Sequence, residues 1–134
     1  MRKQTTYKIL LVIYLILLIW QIIFKLNFSI SDIHEVRDIN LIPFHYENVI
    51  EGDIPLFEAL LNVLVFVPLG FLLHVTARCD TKKEILTIAG LSLCFEIIQY
   101  VFAIGATDIT DVITNTIGGI IGVSLAVYIK GKKK

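Results

Sequence analysis

The sequence predicts an all-α integral membrane protein, a four-helix transmembrane bundle with both termini cytoplasmic. Three observations predict it: a composition too apolar for a soluble domain, four long apolar runs, and an alternation of charge sign between successive connections. The chain has 134 residues, 56% of them hydrophobic, with a mean hydropathy of +0.78. Soluble domains keep apolar residues near about 45–50%, so most of this surface must face lipid. Formal net charge is zero, which excludes the basic excess of a nucleic-acid-binding chain and makes the placement of each sign the informative quantity.

The runs, at 8–26, 57–77, 84–104 and 112–129, each approach the ~20 residues that cross ~30 Å of hydrocarbon. They read as a single domain over 1–134, with an outer segment at 27–56. Span 1 is apolar from Ile9 to Phe24 and follows Arg2, Lys3 and Lys8, as a signal peptide would, but no small-x-small cleavage pattern follows it, so it is read as an uncleaved span. Arg78, Lys82 and Lys83 join spans 2 and 3, and Lys130, Lys132, Lys133 and Lys134 follow span 4. The 1–2 connection holds Lys25 and Arg37 against Asp32, Glu35, Asp38, Glu47, Glu51 and Asp53, and the 3–4 connection holds Asp108 and Asp111 with no base. By the positive-inside rule the termini and the 2–3 connection are cytoplasmic and the other two connections face outward. A multi-pass membrane protein follows.

Within this frame Asp53-Ile54-Pro55 reads as an N-cap followed by proline in the first turn of span 2. Pro68 lies mid-span, where it removes a backbone donor and predicts a kink near Leu64 to Pro68, tolerated in lipid if a neighbour satisfies the freed carbonyl. The outer segment carries Ile30, Ile33, Val36, Ile39, Leu41, Ile42 and Phe44, too apolar for a free loop, and is expected to pack on the bundle or lie in the interface. Cys79 and Cys94 fit neither a disulfide framework nor a metal site and are read as packing residues. His34, His45 and His74 are too scattered to share a metal and read as surface or interfacial residues. Tyr14, Trp20 and Tyr128 suit packing or an aromatic belt.

The polar residues inside the spans need their own explanation, since an ionisable group there costs about 2.5–3.5 kcal/mol on insertion scales. At 1.5 Å per residue, Gln99 sits roughly 8 Å and Glu96 roughly 12 Å below the outer end of span 3. They share a helix face, which Ser92 continues. Asp108, Asp111 and Asn115 follow one face of span 4, and Asn62 lies about a turn inside span 2. Six polar groups from three helices thus occupy one outer depth, and hiding them from lipid turns them toward each other. Below Asn115 the face continues through Gly118, Gly122 and Ala126, a small-xxx-small ladder that either seats span 4 against span 3 or 2 or forms a homo-oligomer seam.

Four blocks now stand out in order: Asn40-Leu41-Ile42-Pro43-Phe44; Asn62 through Gly70; Glu96-Ile97-Ile98-Gln99; and Asp108 through Gly118. Together they resemble the signature blocks of VanZ-like membrane proteins, over residues 40 to 122. The resemblance implies a small multi-span bacterial protein of unsettled biochemical activity, in a family whose founding member is associated with low-level resistance to the glycopeptide teicoplanin. Family members often carry an arginine three residues before the first aspartate of the last block, where this chain has Gly105. Any pairing made by that arginine is absent or replaced here.

Four readings of the cluster stay open, the fourth being transport. In the first, Asn62, Glu96, Gln99, Asp108, Asp111 and Asn115 form a hydrogen-bond network that sets helix register, with Glu96 neutral. In the second the cluster, with Asn40, binds a membrane lipid, a lipid-linked envelope precursor or a glycopeptide-type amphipathic ligand at headgroup depth. In the third Glu96, Asp108 and Asp111 are catalytic, the aspartates holding Mg²⁺, Mn²⁺ or Ca²⁺ and Glu96 acting as general acid or base on a lipid substrate. The sequence has no Ser-His-Asp, Cys-His, HExxH or glycine-rich phosphate motif, and no resident metal or cofactor is expected. Asn40 to Phe44 is expected either to fold over the cluster as a lid, its apolar residues excluding water, or to serve as an interfacial anchor.

Overall fold

The computed structural model describes residues 2–24, 39–44, 53–77, 79–101 and 107–132. Four helices dominate: α1 Arg2–Phe24, α2 Asp53–Thr76, α3 Thr81–Val101 and α4 Ile109–Gly131. Each is long and apolar enough to cross a membrane, about 31–36 Å at 1.5 Å per residue. The chain is therefore an all-α transmembrane bundle. The helices fall on the four apolar runs but begin earlier, at Arg2, Asp53, Thr81 and Ile109 rather than near 8, 57, 84 and 112.

Successive helices run antiparallel. Leu18 and Gln21 near the end of α1 line the same cavity as Leu61 and Asn62 in the first half of α2, while at the opposite end Lys130 Nζ of α4 donates to the His74 carbonyl of α2 at 3.3 Å. One end, called here the loop end, thus bears the α1–α2 and α3–α4 connections. At the other lie the α2–α3 connection and the outermost residues of α1 and α4.

The bundle is organised around the parallel neighbours α2 and α4. A Cβ on Gly118 would overlap the carbonyl oxygen of Val63, and one on Gly122 that of Val67. Only glycine lets two helix backbones approach so closely. From the other side, a Cβ on Gly70 would strike the Gly119 carbonyl. Ala126, 1% exposed, continues the same stripe. Of the two uses expected of the ladder, seating span 4 against span 2 is the one that this geometry displays.

Leu18, Phe66, Leu69, Ile88, Phe95 and Val123 form the apolar core, with the Phe66 and Phe95 rings edge to face at 6.5 Å. α1 buries Leu18 and leaves Ile9, Val12, Ile13, Ile16 and Leu17 exposed, as befits a helix with a lipid-facing side. Its Tyr14 hydroxyl donates to the Val65 carbonyl at 2.7 Å. That bond lies beside Leu64, whose carbonyl loses its helical donor to Pro68; α2 runs continuously through the proline. Trp20 and Tyr128 are exposed, and Lys132 Nζ stands 4.7 Å from the Tyr128 ring centroid.

Two sequence expectations are corrected. Cys79 and Cys94 are both exposed. The inward stripe of α3 is Glu84, Ile88, Ser92, Phe95 and Glu96, and two residues beyond Ser92 the helix has turned about 200°, which points Cys94 away from it. His74 is not simply a surface residue. Its Nδ1 lies 2.8 Å from Glu84 Oε2, and Glu84 is 1% exposed, so the pair links α2 to α3. His34 and His45 fall outside the described residues.

A short non-helical element was not anticipated. β1 (Ile39–Asn40) pairs in parallel with β2 (Thr107–Asp108), in the register Ile39 with Thr107 and Asn40 with Asp108. Backbone groups near a membrane must find partners inside the protein, and this bridge supplies them.

Candidate functional site

The site is built outward from the start of α4. Asp108 is the N-cap, with φ −120° and ψ 123°, and its side chain accepts from Thr110 N at 2.7 Å. Asparagine and aspartate satisfy an orphan first-turn donor in this way, and a carboxylate also complements the helix dipole. Because the cap residue is not itself helical, Asp108 departs from the face it was expected to share with Asp111 and Asn115. Its other oxygen accepts from Asn40 Nδ2 at 3.2 Å.

The 39–44 segment carries two further hydrogen bonds, one within itself and one to α4. Ile42 N donates to Asn40 Oδ1 at 3.1 Å, a local Asx turn. Phe44 N donates to Thr110 Oγ1 at 3.0 Å, with Phe44 in the left-handed region at φ 57°. Asn40 therefore reaches Asp108 at the rim of the cluster. Leu41, Ile42 and Phe44 are exposed and none of them lines the cavity, which fits the interfacial anchor rather than the water-excluding lid. Residues 30, 33 and 36 lie outside the described segments, as does Gly105.

Beneath this clasp, Glu96 joins α3 to the start of α4. Its Oε2 accepts from Asp108 N at 3.0 Å, and its backbone carbonyl accepts from Thr107 Oγ1 at 3.2 Å. Glu96 is 3% exposed, so the bond is shielded from competing solvent. One turn into α4, Asp111 Oδ1 accepts from Asn62 Nδ2 of α2 at 2.7 Å. A turn deeper, Asn115 Nδ2 donates to Ser92 Oγ of α3 at 2.8 Å.

These groups enclose a cavity of about 80 Å³, several times the ~10–15 Å³ that one water requires. Gln21, Asn62, Glu96, Gln99, Asp111 and Asn115 are its polar lining, and Leu18, Leu61, Val65, Phe66 and Phe95 the apolar remainder. All four helices contribute. Of the seven residues singled out in the sequence, five line the cavity, while Asn40 and Asp108 form the clasp above it. Among the described residues no three of His, Cys, Asp and Glu gather as metal ligands.

Sequence reasoning missed Gln21, Thr107 and Thr110. Gln21 was legible as a polar residue in the last third of span 1, at the depth of the others. Thr110, 1% exposed, gave no signal, because a threonine in a first helical turn has an ordinary local use.

A family model described as VanZ/LLP1 matches residues 11–130. The chain is 44% identical over 119 residues to Protein VanZ of Enterococcus faecium, covering 87% of this chain and 70% of that protein. No solved structure matches significantly.

Proposed function

The chain belongs to the VanZ/LLP1 family, and on that premise we propose that it binds an envelope lipid or amphipathic ligand from the outer leaflet of a bacterial cytoplasmic membrane and thereby alters susceptibility to glycopeptides such as teicoplanin. The observation that carries this reading is the cavity: polar groups from four membrane-long helices ring one space at the loop end of the bundle. The positive-inside pattern puts that end outward, at headgroup depth.

A structural reading is favoured by a different observation, the bonds that tie α2 to α4 and α3 to α4 through Asp111 and Asn115. The two readings separate on a deletion strain complemented with the parent, Glu96→Gln or Glu96→Asp. Susceptibility to teicoplanin, vancomycin and daptomycin would be measured together with the lipid profile. Deletion is expected to change teicoplanin susceptibility, and Glu96→Gln, expressed normally, to fail where Glu96→Asp succeeds. A deletion with no effect on any of the three drugs or on the lipids would sink the envelope role. Full complementation by both variants would favour the structural reading and remove Glu96 from any acid or base chemistry.

A further inference from the structure

Every described lysine lies at one end of the bundle, opposite the cavity. Lys3 and Lys8 of α1, Lys82 and Lys83 at the start of α3, and Lys130 and Lys132 at the end of α4 are all exposed. Three cross-helix bonds set their depth: Tyr14 to Val65, His74 to Glu84 and Lys130 to the His74 carbonyl. Counted from those bonds at 1.5 Å per residue, the six fall within a band of about 10 Å. The exposed Tyr128 sits in the same band, as aromatic residues do at a membrane–water boundary.

The protein does not neutralise this charge itself. The described acids at that end are Asp80 and Glu84. Asp80 Oδ1 accepts from the backbone N–H of Lys82 at 2.7 Å and of Lys83 at 3.3 Å, so it caps α3. Glu84 is buried against His74. Among the described residues no lysine forms an ion pair. Two of the ammonium groups are nonetheless held in place. Lys130 Nζ uses one donor on the His74 carbonyl, which leaves two, and Lys132 Nζ stands 4.7 Å from the Tyr128 ring centroid. Ammonium groups without carboxylate partners, at the depth where lipid phosphates lie, are complementary to an anionic headgroup. A zwitterionic headgroup brings its own cation and gains less from them.

We propose that this end of the bundle binds anionic phospholipid of the adjoining leaflet, whose phosphate accepts from the lysines at the start of α3 and the end of α4. These two pairs are neighbours because α3 and α4 run antiparallel and Ile88 packs on Gly119. The surface lies across the bundle from the cavity, so the inference stands apart from the ligand reading of that site, and it does not depend on which end is cytoplasmic. The same lysines serve as orientation signals while the chain inserts. Lipid binding is a property of the folded chain, and purified protein reads it separately from insertion.

The test is thermal unfolding of the full chain in a non-ionic detergent, titrated separately with dioleoyl phosphatidylglycerol, dioleoyl phosphatidylcholine, sodium phosphate and polyglutamate. A saturable rise in melting temperature is expected with phosphatidylglycerol, with half-saturation at least about tenfold weaker for phosphatidylcholine. The preference should fade in about 1 M salt, where the screening length falls to about 3 Å. Changing Lys82, Lys83, Lys130 and Lys132 together to glutamine is expected to leave melting without lipid near that of the parent and to abolish the preference, while changing the same four to arginine keeps it. Should the fourfold glutamine variant fail to fold, Lys82→Gln with Lys83→Gln, and Lys130→Gln with Lys132→Gln, are each expected to weaken phosphatidylglycerol binding. Equal response to the two lipids, no shift from either, or a preference that the glutamine variants retain would overturn the assignment. A shift from sodium phosphate or polyglutamate as large as that from phosphatidylglycerol would overturn it too, in favour of a soluble anion or an acidic polypeptide.

Discussion

Glu96 Oε2 accepts the backbone N–H of Asp108 at 3.0 Å, so a side chain in α3 holds the residue that caps α4. Asp108 in turn accepts from Asn40, which ties the 39–44 segment to the same point. The end of α3, the start of α4 and the distant 39–44 segment therefore meet on one carboxylate and one cap.

The first prediction follows from what Glu96 donates and accepts. Glu96→Gln retains an oxygen for Asp108 N–H and is expected to unfold in detergent within about 0.5 kcal/mol of the parent, while Glu96→Leu strands that donor and costs about 1–3 kcal/mol. Equal destabilisation by both, measured by thermal unfolding, would mean that the charge rather than the acceptor holds the clasp.

A second concerns the cap. Asparagine caps a helix about as well as aspartate, so Asp108→Asn is expected to be nearly neutral and Asp108→Ala to cost about 1 kcal/mol. A double-mutant cycle with Asn40→Ala measures the additional bond between the two side chains. A coupling indistinguishable from zero would show that the 39–44 segment is held by its backbone alone.

The glycine seam yields a sharper contrast. Gly118→Val and Gly122→Val push a side chain into the carbonyls of Val63 and Val67 and are expected to cost about 1–3 kcal/mol or more, through forced separation of α2 and α4. Nothing lies within 4 Å of a Cβ built on Gly90 or Gly131, so Gly90→Ala and Gly131→Ala should be tolerated. Unfolding temperatures of the four variants in one detergent decide it, and a Gly122→Val protein as stable as the parent would contradict the close approach.

At the far end of the bundle, His74 and the buried Glu84 form a pair at 2.8 Å. His74→Leu leaves a buried carboxylate without that partner and is expected to cost about 3–5 kcal/mol if the pair is ionic. A loss near 1 kcal/mol would instead identify a neutral hydrogen bond.

Orientation is tested with the native thiol. Cys79 is exposed in the α2–α3 connection, so a membrane-impermeant maleimide should leave it unlabelled in intact cells and label it after permeabilisation. A cysteine at position 50, in a chain lacking Cys79 and Cys94, should behave oppositely. External labelling of Cys79 would reverse the assigned topology.

The four helices were legible in the sequence because lipid imposes one simple requirement on each span, about 20 apolar residues with every backbone group satisfied internally. That requirement is local, so a single pass along the chain meets it. The depth at which Asn62, Glu96, Gln99, Asp111 and Asn115 gather was legible for the same reason, since depth is only residue count multiplied by rise. Which neighbour each helix chose was not. Gly118 and Gly122 mark a close approach, but only the packed structure selects α2 as the surface they meet, because small-residue stripes fit any smooth backbone. Likewise the sequence put Asp108 and Asp111 one turn apart, while the tertiary structure separated their uses: Asp108 became a cap bound by Asn40, and Asp111 turned into the cavity against Asn62. The physical reason is that a side chain's partner depends on helix rotation and on chain returning from elsewhere, and neither is encoded in spacing along one helix.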